Sequence, residues 1–188
     1  TLVDISWPVR RLRLCKTDSE LKYVRKAAQL CSQSLADVIT AAEPGIPDST
    51  LNVAYLSTVL EGGGDMPANP PLFNSGRRAL YGRGVSGARL LNADDQIVAE
   101  FPVSYRRYNV KTEWTIILGK IDPQQYRMYE VARDALDKMT NVARSGNTLG
   151  EIFEVHANVL DAAGYQEHRY GACGYSMGIS CSPTSMDV

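Results

Sequence analysis

The sequence predicts an α+β fold in which paired helices lie outside a curved antiparallel sheet. Three observations predict it. Two helix pairs of the same design stand about a hundred residues apart, each turning and leaving at a glycine. The spacing of those glycines is nearly equal, 17 residues from Gly45 to Gly62 and 18 from Gly146 to Gly164. Between the pairs lies a stretch with strand and turn signals. Repeated α-α-β-β units, related by a pseudo-twofold, put the helices outside one sheet and leave its concave side for a site.

The elements follow in order. The opening stretch, "TLVDISWPVRRLRL", reads as a strand in mid-flow. Thr17 and Glu20 form a capping box, T-x-x-E, at the head of the first long helix. Leu21, Val24, Ala28, Cys31, Leu35 and Val38 follow at helical spacing, and "EPG" stops the run at Gly45. "PDST" starts the second helix with Asp48 or Ser49 as its cap, and Leu51, Ala54 and Val59 lie inside it. "PPLFNSG" reads as a short strand closed by a turn. Asn92 to Asp95 turn the chain into a strand from Gln96 to Val103. "YRRYN" reverses it, and Lys111 to Leu118 return. In the second copy, Asp122-Pro123 supplies a cap and an N1 proline. Tyr126, Tyr129, Ala132, Leu136, Met139 and Ala143 make the stripe. Thr148 and Glu151 then cap a helix through Ile152, Val155 and Leu160. "HRYGACGYSMGIS" reads as loop and strand with backbone packed close to something.

Bulk properties exclude several classes. The chain of 188 residues suits one sizeable domain rather than two. Lys and Arg number 20 against 21 Asp and Glu, so charge directs the chain to neither nucleic acid nor an anionic membrane. No apolar run nears the roughly 20 residues that span a bilayer. The N-terminal stretch has no signal-peptide core. Cys15, Cys31, Cys173 and Cys181 form no CxxC pair, and His156 and His168 complete no zinc set with them. Dispersed thiols without a secretion signal point to a cytoplasmic protein. Both ends read as cuts in a longer polypeptide.

The return strand carries the first candidate site. Lys111, Glu113, Thr115 and Ile117 share one face, because side chains two apart on a strand point the same way. Glu100 stands in an apolar run on the opposite strand. One reading is an exposed Lys–Glu pair worth at most about 1 kcal/mol. The other is a polar patch at a sheet centre, where charge needs a reason. Arg83, in "LYGRGVSG", either grips a carboxylate with forked bonds or is a solvated loop residue. Tyr175, in "GYSMG", either orients a substrate through its hydroxyl or packs in the core. His156 and His168 are weaker candidates. Ser176 sits in no strand-then-helix elbow, so it is not read as a nucleophile.

"LRLCKTDSELKYVRKAAQL", the "FNSG" turn, the hairpin ending "TIILG" and "GYSMG" together resemble the pita-bread (M24) family of methionine aminopeptidase, aminopeptidase P, prolidase and creatinase. The resemblance covers nearly the whole chain. It implies a pita-bread domain over residues 1–188, incomplete at its C-terminal end, with the parent's smaller N-terminal domain absent. The family's metallopeptidases hold two metal ions. Aligned through Gly119, their first three ligand positions are Glu100, Lys111 and Tyr175 here, and two later glutamates would lie past Val188. Lysine at a ligand position puts a positive charge where a dication would sit, and tyrosine replaces imidazole poorly. The resemblance therefore implies no metal and no other cofactor.

Within the family, the metal-free branch matches best. Creatinase reads Glu-Arg-Thr where this chain reads Glu113-Trp114-Thr115, which aligns Glu113 with a substrate-contacting residue. The ectoine hydrolases resemble it around Tyr175 and in "RRYN". Both groups place a catalytic histidine where Arg83 stands, and a guanidinium does not shuttle protons. The reading that results is a metal-independent, creatinase-like hydrolase cleaving a C–N bond in a small nitrogenous or amino-acid-derived substrate. In it Glu113 is catalytic, while Arg83, Glu100, Lys111 and Tyr175 bind substrate. The alternatives are a non-catalytic module binding a peptide or protein, and a metal-dependent Xaa-Pro aminopeptidase or dipeptidase. The resemblance also implies a homodimer.

Overall fold

Thr17 opens the principal helix as its sequence requires: its hydroxyl accepts from the Glu20 N–H at 3.3 Å, and the Glu20 carboxylate accepts from the Thr17 N–H at 2.7 Å. The computed structural model describes residues 2–82 and 84–186. The elements are α1 (Ser6–Leu14), α2 (Asp18–Ala41), α3 (Thr50–Glu61), β1 (Leu72–Ser75), β2 (Gln96–Tyr105), β3 (Tyr108–Ile117), α4 (Pro123–Val142) and α5 (Leu149–Ala162). They form two compact units, residues 1–120 with 175–188, and residues 121–174.

In the first unit, the three strands make one antiparallel sheet in the order β1-β2-β3. Alternation along β2 sorts its side chains. Ile97, Ala99, Phe101 and Val103 are fully buried and pack with Leu30, Val38, Leu51, Tyr55 and Val59 of the helices. The Tyr55 and Phe101 rings meet at a tilt with centroids 4.8 Å apart, and Phe73 of β1 stacks on Phe101 at 5.7 Å. Each such side chain contributes about 2 kcal/mol by leaving water. The Tyr55 hydroxyl donates to the Pro102 carbonyl, so its polar tip is satisfied inside the core.

The β2–β3 hairpin closes on Arg106 and Arg107, both at positive φ, 53° and 66°. That is an uncommon conformation for residues with a Cβ. Tertiary contacts hold it: the Arg107 N–H donates to Asp65 at 2.9 Å and its carbonyl accepts from the Ser180 N–H at 3.0 Å.

The second unit is a helix pair. Asp122 accepts from the Gln124 N–H at 2.8 Å, with Pro123 in the first turn of α4. Thr148 and Glu151 form the capping box of α5. Both starts agree with the sequence.

Four expectations need correction. The opening stretch is a helix, not a strand. Asp4 accepts from the Ser6 N–H at 2.8 Å, and Pro8 is tolerated in a first turn. Neither Asp48 nor Ser49 caps α3 through its side chain, because Asp48 is drawn into a buried network described below. The α2 stripe centres on Ala27, Leu30, Ser34 and Val38, leaving Ala28 exposed, and on α4 Tyr126, Tyr129 and Leu136 are exposed. Among the described residues the second copy stops at its helix pair. "HRYGACGYSMGIS" forms only the isolated bridges Tyr108–Ile179 and Met177–Met186, because glycine-rich backbone docks there through single hydrogen bonds rather than a ladder.

Candidate functional site

The face of the sheet away from the helices carries the polar residues. Glu100 is the direct partner of Glu113, and Pro102 of Lys111. Lys111 is therefore diagonal to Glu100, within reach of a long side chain. Its ammonium forms an ion pair with the Glu100 carboxylate, and the two side chains are only 13% and 16% exposed. The exposed-pair reading of Lys111 and Glu113 gives way. The lysine's partner is the carboxylate on the other strand, and that pair is largely shielded from water.

Glu113 is the member left open, with its side chain reaching solvent. The protein around it still withdraws enough water to push its pKa above the usual carboxylate value. The Glu100 charge adds to that rise, and Lys111 opposes it.

Two segments border this face. On the β3 side, the fully buried Asn109 donates its backbone N–H to the Gly178 carbonyl at 2.8 Å and its side-chain amide to Ser180 Oγ at 3.0 Å. The Tyr108 hydroxyl reaches Glu20 at 3.1 Å, and Tyr108 stacks on Tyr23 of α2 at 5.4 Å. These contacts moor "GYSMGIS" at the start of β3. Tyr175, at the head of that segment, is 47% exposed. Among the described residues no hydrogen bond of its hydroxyl is found, so it is not a packed core tyrosine.

On the β1 side, Asn74 donates to the Tyr81 carbonyl at 3.0 Å. A Cβ on Gly84 would meet Asn74 Oδ1 at 2.3 Å. Tyr81 is thus hydrogen-bonded to, and the Gly84 backbone packed close against, a residue on the same sheet face as Glu100. Arg83 lies outside the described residues.

Sequence reasoning missed the network that anchors this loop. Asp48 is fully buried and accepts from Ser75 Oγ at 2.8 Å and the Gly87 N–H at 2.7 Å. Arg89 forks onto Asp95, its Nη2 at 2.8 Å, and Asp95 also accepts from the Asn92 N–H at 2.8 Å. The Arg89 hydrogen bond, foremost, holds the Asp95 carboxyl below its usual range. The signal available was an arginine six residues before an aspartate across an Asn-x-x-Asp turn. His156 and His168 both lie in the second unit. His156 packs on Phe153 at 5.8 Å, and His168 is exposed in a short 3₁₀ turn.

Comparison with known proteins now decides the family. The model for metallopeptidase family M24 matches residues 22–186. The chain belongs to family M24. Among curated relatives of this M24 chain, an Xaa-Pro dipeptidase of Pyrococcus horikoshii is 25% identical over 173 residues, covering 91% of this chain and 49% of that protein. The chain therefore spans about half the length of the curated relatives it matches. Prolidase from Pyrococcus furiosus superposes with a TM-score of 0.89 at 21% identity, over 95% of this chain and 53% of the other. X-Pro aminopeptidase from Thermotoga maritima does so with 0.88 at 16% identity, over the whole of this chain and 53% of the other. These likenesses establish the pita-bread fold. The proteins named are an Xaa-Pro dipeptidase, a prolidase and an X-Pro aminopeptidase, names that fall with the third of the sequence's readings rather than the creatinase-like first.

A metallopeptidase family implies metal ions, and the donors among the described residues do not fit them. The Lys111 ammonium sits on the Glu100 carboxylate. Among the described residues no three His, Cys, Asp or Glu side chains group closely enough to hold a metal ion.

Among the described residues no helix is long and apolar enough to cross a membrane.

Proposed function

We propose that this M24 chain carries the catalytic face of a hydrolase that cleaves a C–N bond in a small, amino-acid-derived substrate, with protein groups doing the proton transfers. The observation that carries this reading is the position of Glu113. It faces the Glu100–Lys111 pair directly, yet its own carboxyl is open to a ligand. A carboxyl with a raised pKa retains a proton closer to neutrality, which suits it to protonate a departing nitrogen or to take a proton from water. Lys111 neutralises Glu100, so the face holds one uncompensated acid rather than two. In this reading Tyr175 orients the substrate through its hydroxyl, and Arg83 grips a substrate carboxylate.

The names of the relatives favour a second reading, a metal-dependent Xaa-Pro dipeptidase. One experiment separates the two. The purified protein is assayed by mass spectrometry on Xaa-Pro dipeptides and N-substituted glycines, once with EDTA and once with added Mn²⁺. The proposal expects turnover that survives EDTA and falls about a hundredfold in Glu113→Gln. Turnover only with metal, indifferent to Glu113→Gln, supports the dipeptidase reading instead. Thermal stabilisation by peptides without turnover of any substrate would point to a binding module.

A further inference from the structure

The family is one of metallopeptidases, yet this sheet face spends its best-shielded carboxylate on a lysine. Glu100 is the most enclosed acid of the cluster, and its ion pair with Lys111 uses oxygen lone pairs that a metal would need. A hard divalent cation requires several oxygen donors converging on one point. Lys111 supplies no lone pair while protonated and repels a second cation beside it. Among the described residues of this cluster, Glu113 is the carboxylate that remains, opposite Glu100 on the next strand.

We propose that Lys111 is a built-in counter-ion that takes the place of a bound divalent metal on this face, closing the site to such metals and holding Glu100 ionised without one. The ammonium and the metal are alternatives: either one balances the carboxylates, and both cannot. A single side chain therefore sets whether the face takes metal. Replacing Lys111 by aspartate brings a third carboxylate beside Glu100 and Glu113 and removes the positive charge, which opens the site.

The test is calorimetric titration of Mn²⁺ into the chain, with no substrate present, so it stands apart from the hydrolytic reading. Wild type is compared with Lys111→Asp, with Lys111→Met, and with Lys111→Asp combined with Glu100→Gln. Lys111→Asp is expected to bind at least tenfold more tightly than wild type, and Glu100→Gln in that background to abolish the gain. Lys111→Met, of similar shape and lacking the charge, serves if the aspartate variant fails to fold. It is expected to bind more tightly than wild type, by a smaller factor. The proposal is overturned if wild type binds Mn²⁺ as tightly as a folded Lys111→Asp or Lys111→Met variant, or if adding Glu100→Gln leaves the tight binding of Lys111→Asp intact.

Discussion

Glu100 and Glu113 stand directly opposite each other across β2 and β3, and the diagonal Lys111 keeps two like charges from facing each other uncompensated. Lys111→Met removes that compensation while keeping most of the side-chain volume. Breaking one partner of a shielded pair costs about 3 kcal/mol, and that loss is expected in urea denaturation. The double variant with Glu100→Gln should recover much of it, giving a coupling of about 1–3 kcal/mol. A single variant as stable as wild type, with no coupling, would show the pair to be a bystander.

Glu113 makes stability depend on pH with a definite sign. Its folded pKa is raised above the ordinary value of 4.5, by loss of water first and by Glu100 second. The folded state therefore binds its proton more tightly than the unfolded chain. That contribution is fully present below 4.5 and is lost as pH rises through the folded pKa. The difference in denaturation midpoint between wild type and Glu113→Gln should move against wild type as pH rises from about 4 to about 7. A constant difference across that range would remove Glu113 from the role of proton carrier.

Asp95 carries the opposite sign. Its folded pKa is depressed below 3.8 chiefly by the Arg89 hydrogen bond, so its contribution is present above 3.8 and is lost as pH falls through the folded pKa. Asp95→Asn is expected to cost about 2 kcal/mol at neutral pH, the worth of hydrogen bonds to a charged group. It should also flatten the acid limb of the stability profile. An unchanged acid limb would mean that the Arg89 fork is not retained in solution.

Asp48 is the test of how the loop near position 83 is held. It accepts from both Ser75 and the Gly87 backbone. Asp48→Ala is expected to lose about 2–3 kcal/mol and to speed proteolysis within residues 76–90 before the core strands are cut. Cleavage elsewhere first, or no change in rate, would sever the link between this carboxylate and the loop.

Local chemistry made much of the fold legible. The capping boxes at Thr17 and Thr148 and the Asp122-Pro123 start need only neighbours in sequence, and all three stand as read. Period-two alternation and a two-residue reversal bring Glu100, Lys111 and Glu113 to one face, so the cluster was legible too. How far the Lys111–Glu100 pair is shielded from water was not, because that depends on what packs around the face. Asp48 looks like a cap from sequence and becomes a tertiary anchor, since Ser75 and Gly87 reach it from distant parts of the chain. Tyr175 was ambiguous because its exposure depends on where Gly178 docks against Asn109.

Gly119 closes β3 at a point where sequence and packing demand the same thing. Its φ is +72°, and a Cβ there would lie 2.4 Å from the Ala93 carbonyl oxygen. The preceding Leu118 N–H donates to the Asp95 carbonyl at 2.9 Å, so the backbone leading into Gly119 is fixed to that turn. Gly119→Ala therefore meets two costs. The left-handed conformation itself takes about 1–2 kcal/mol from a residue with a Cβ. The contact with Ala93 is with backbone, so relieving it means moving the turn at residues 92–95 and the Asp95 fork to Arg89. A total near 3 kcal/mol is expected, read as a lower urea midpoint with an unchanged slope. Because Glu100 and Lys111 lie well up the same strands, their ion pair should survive. The pH-dependent difference between wild type and Glu113→Gln should then persist in the Gly119→Ala background. A loss below about 0.5 kcal/mol would mean that Ala93 does not approach this closely.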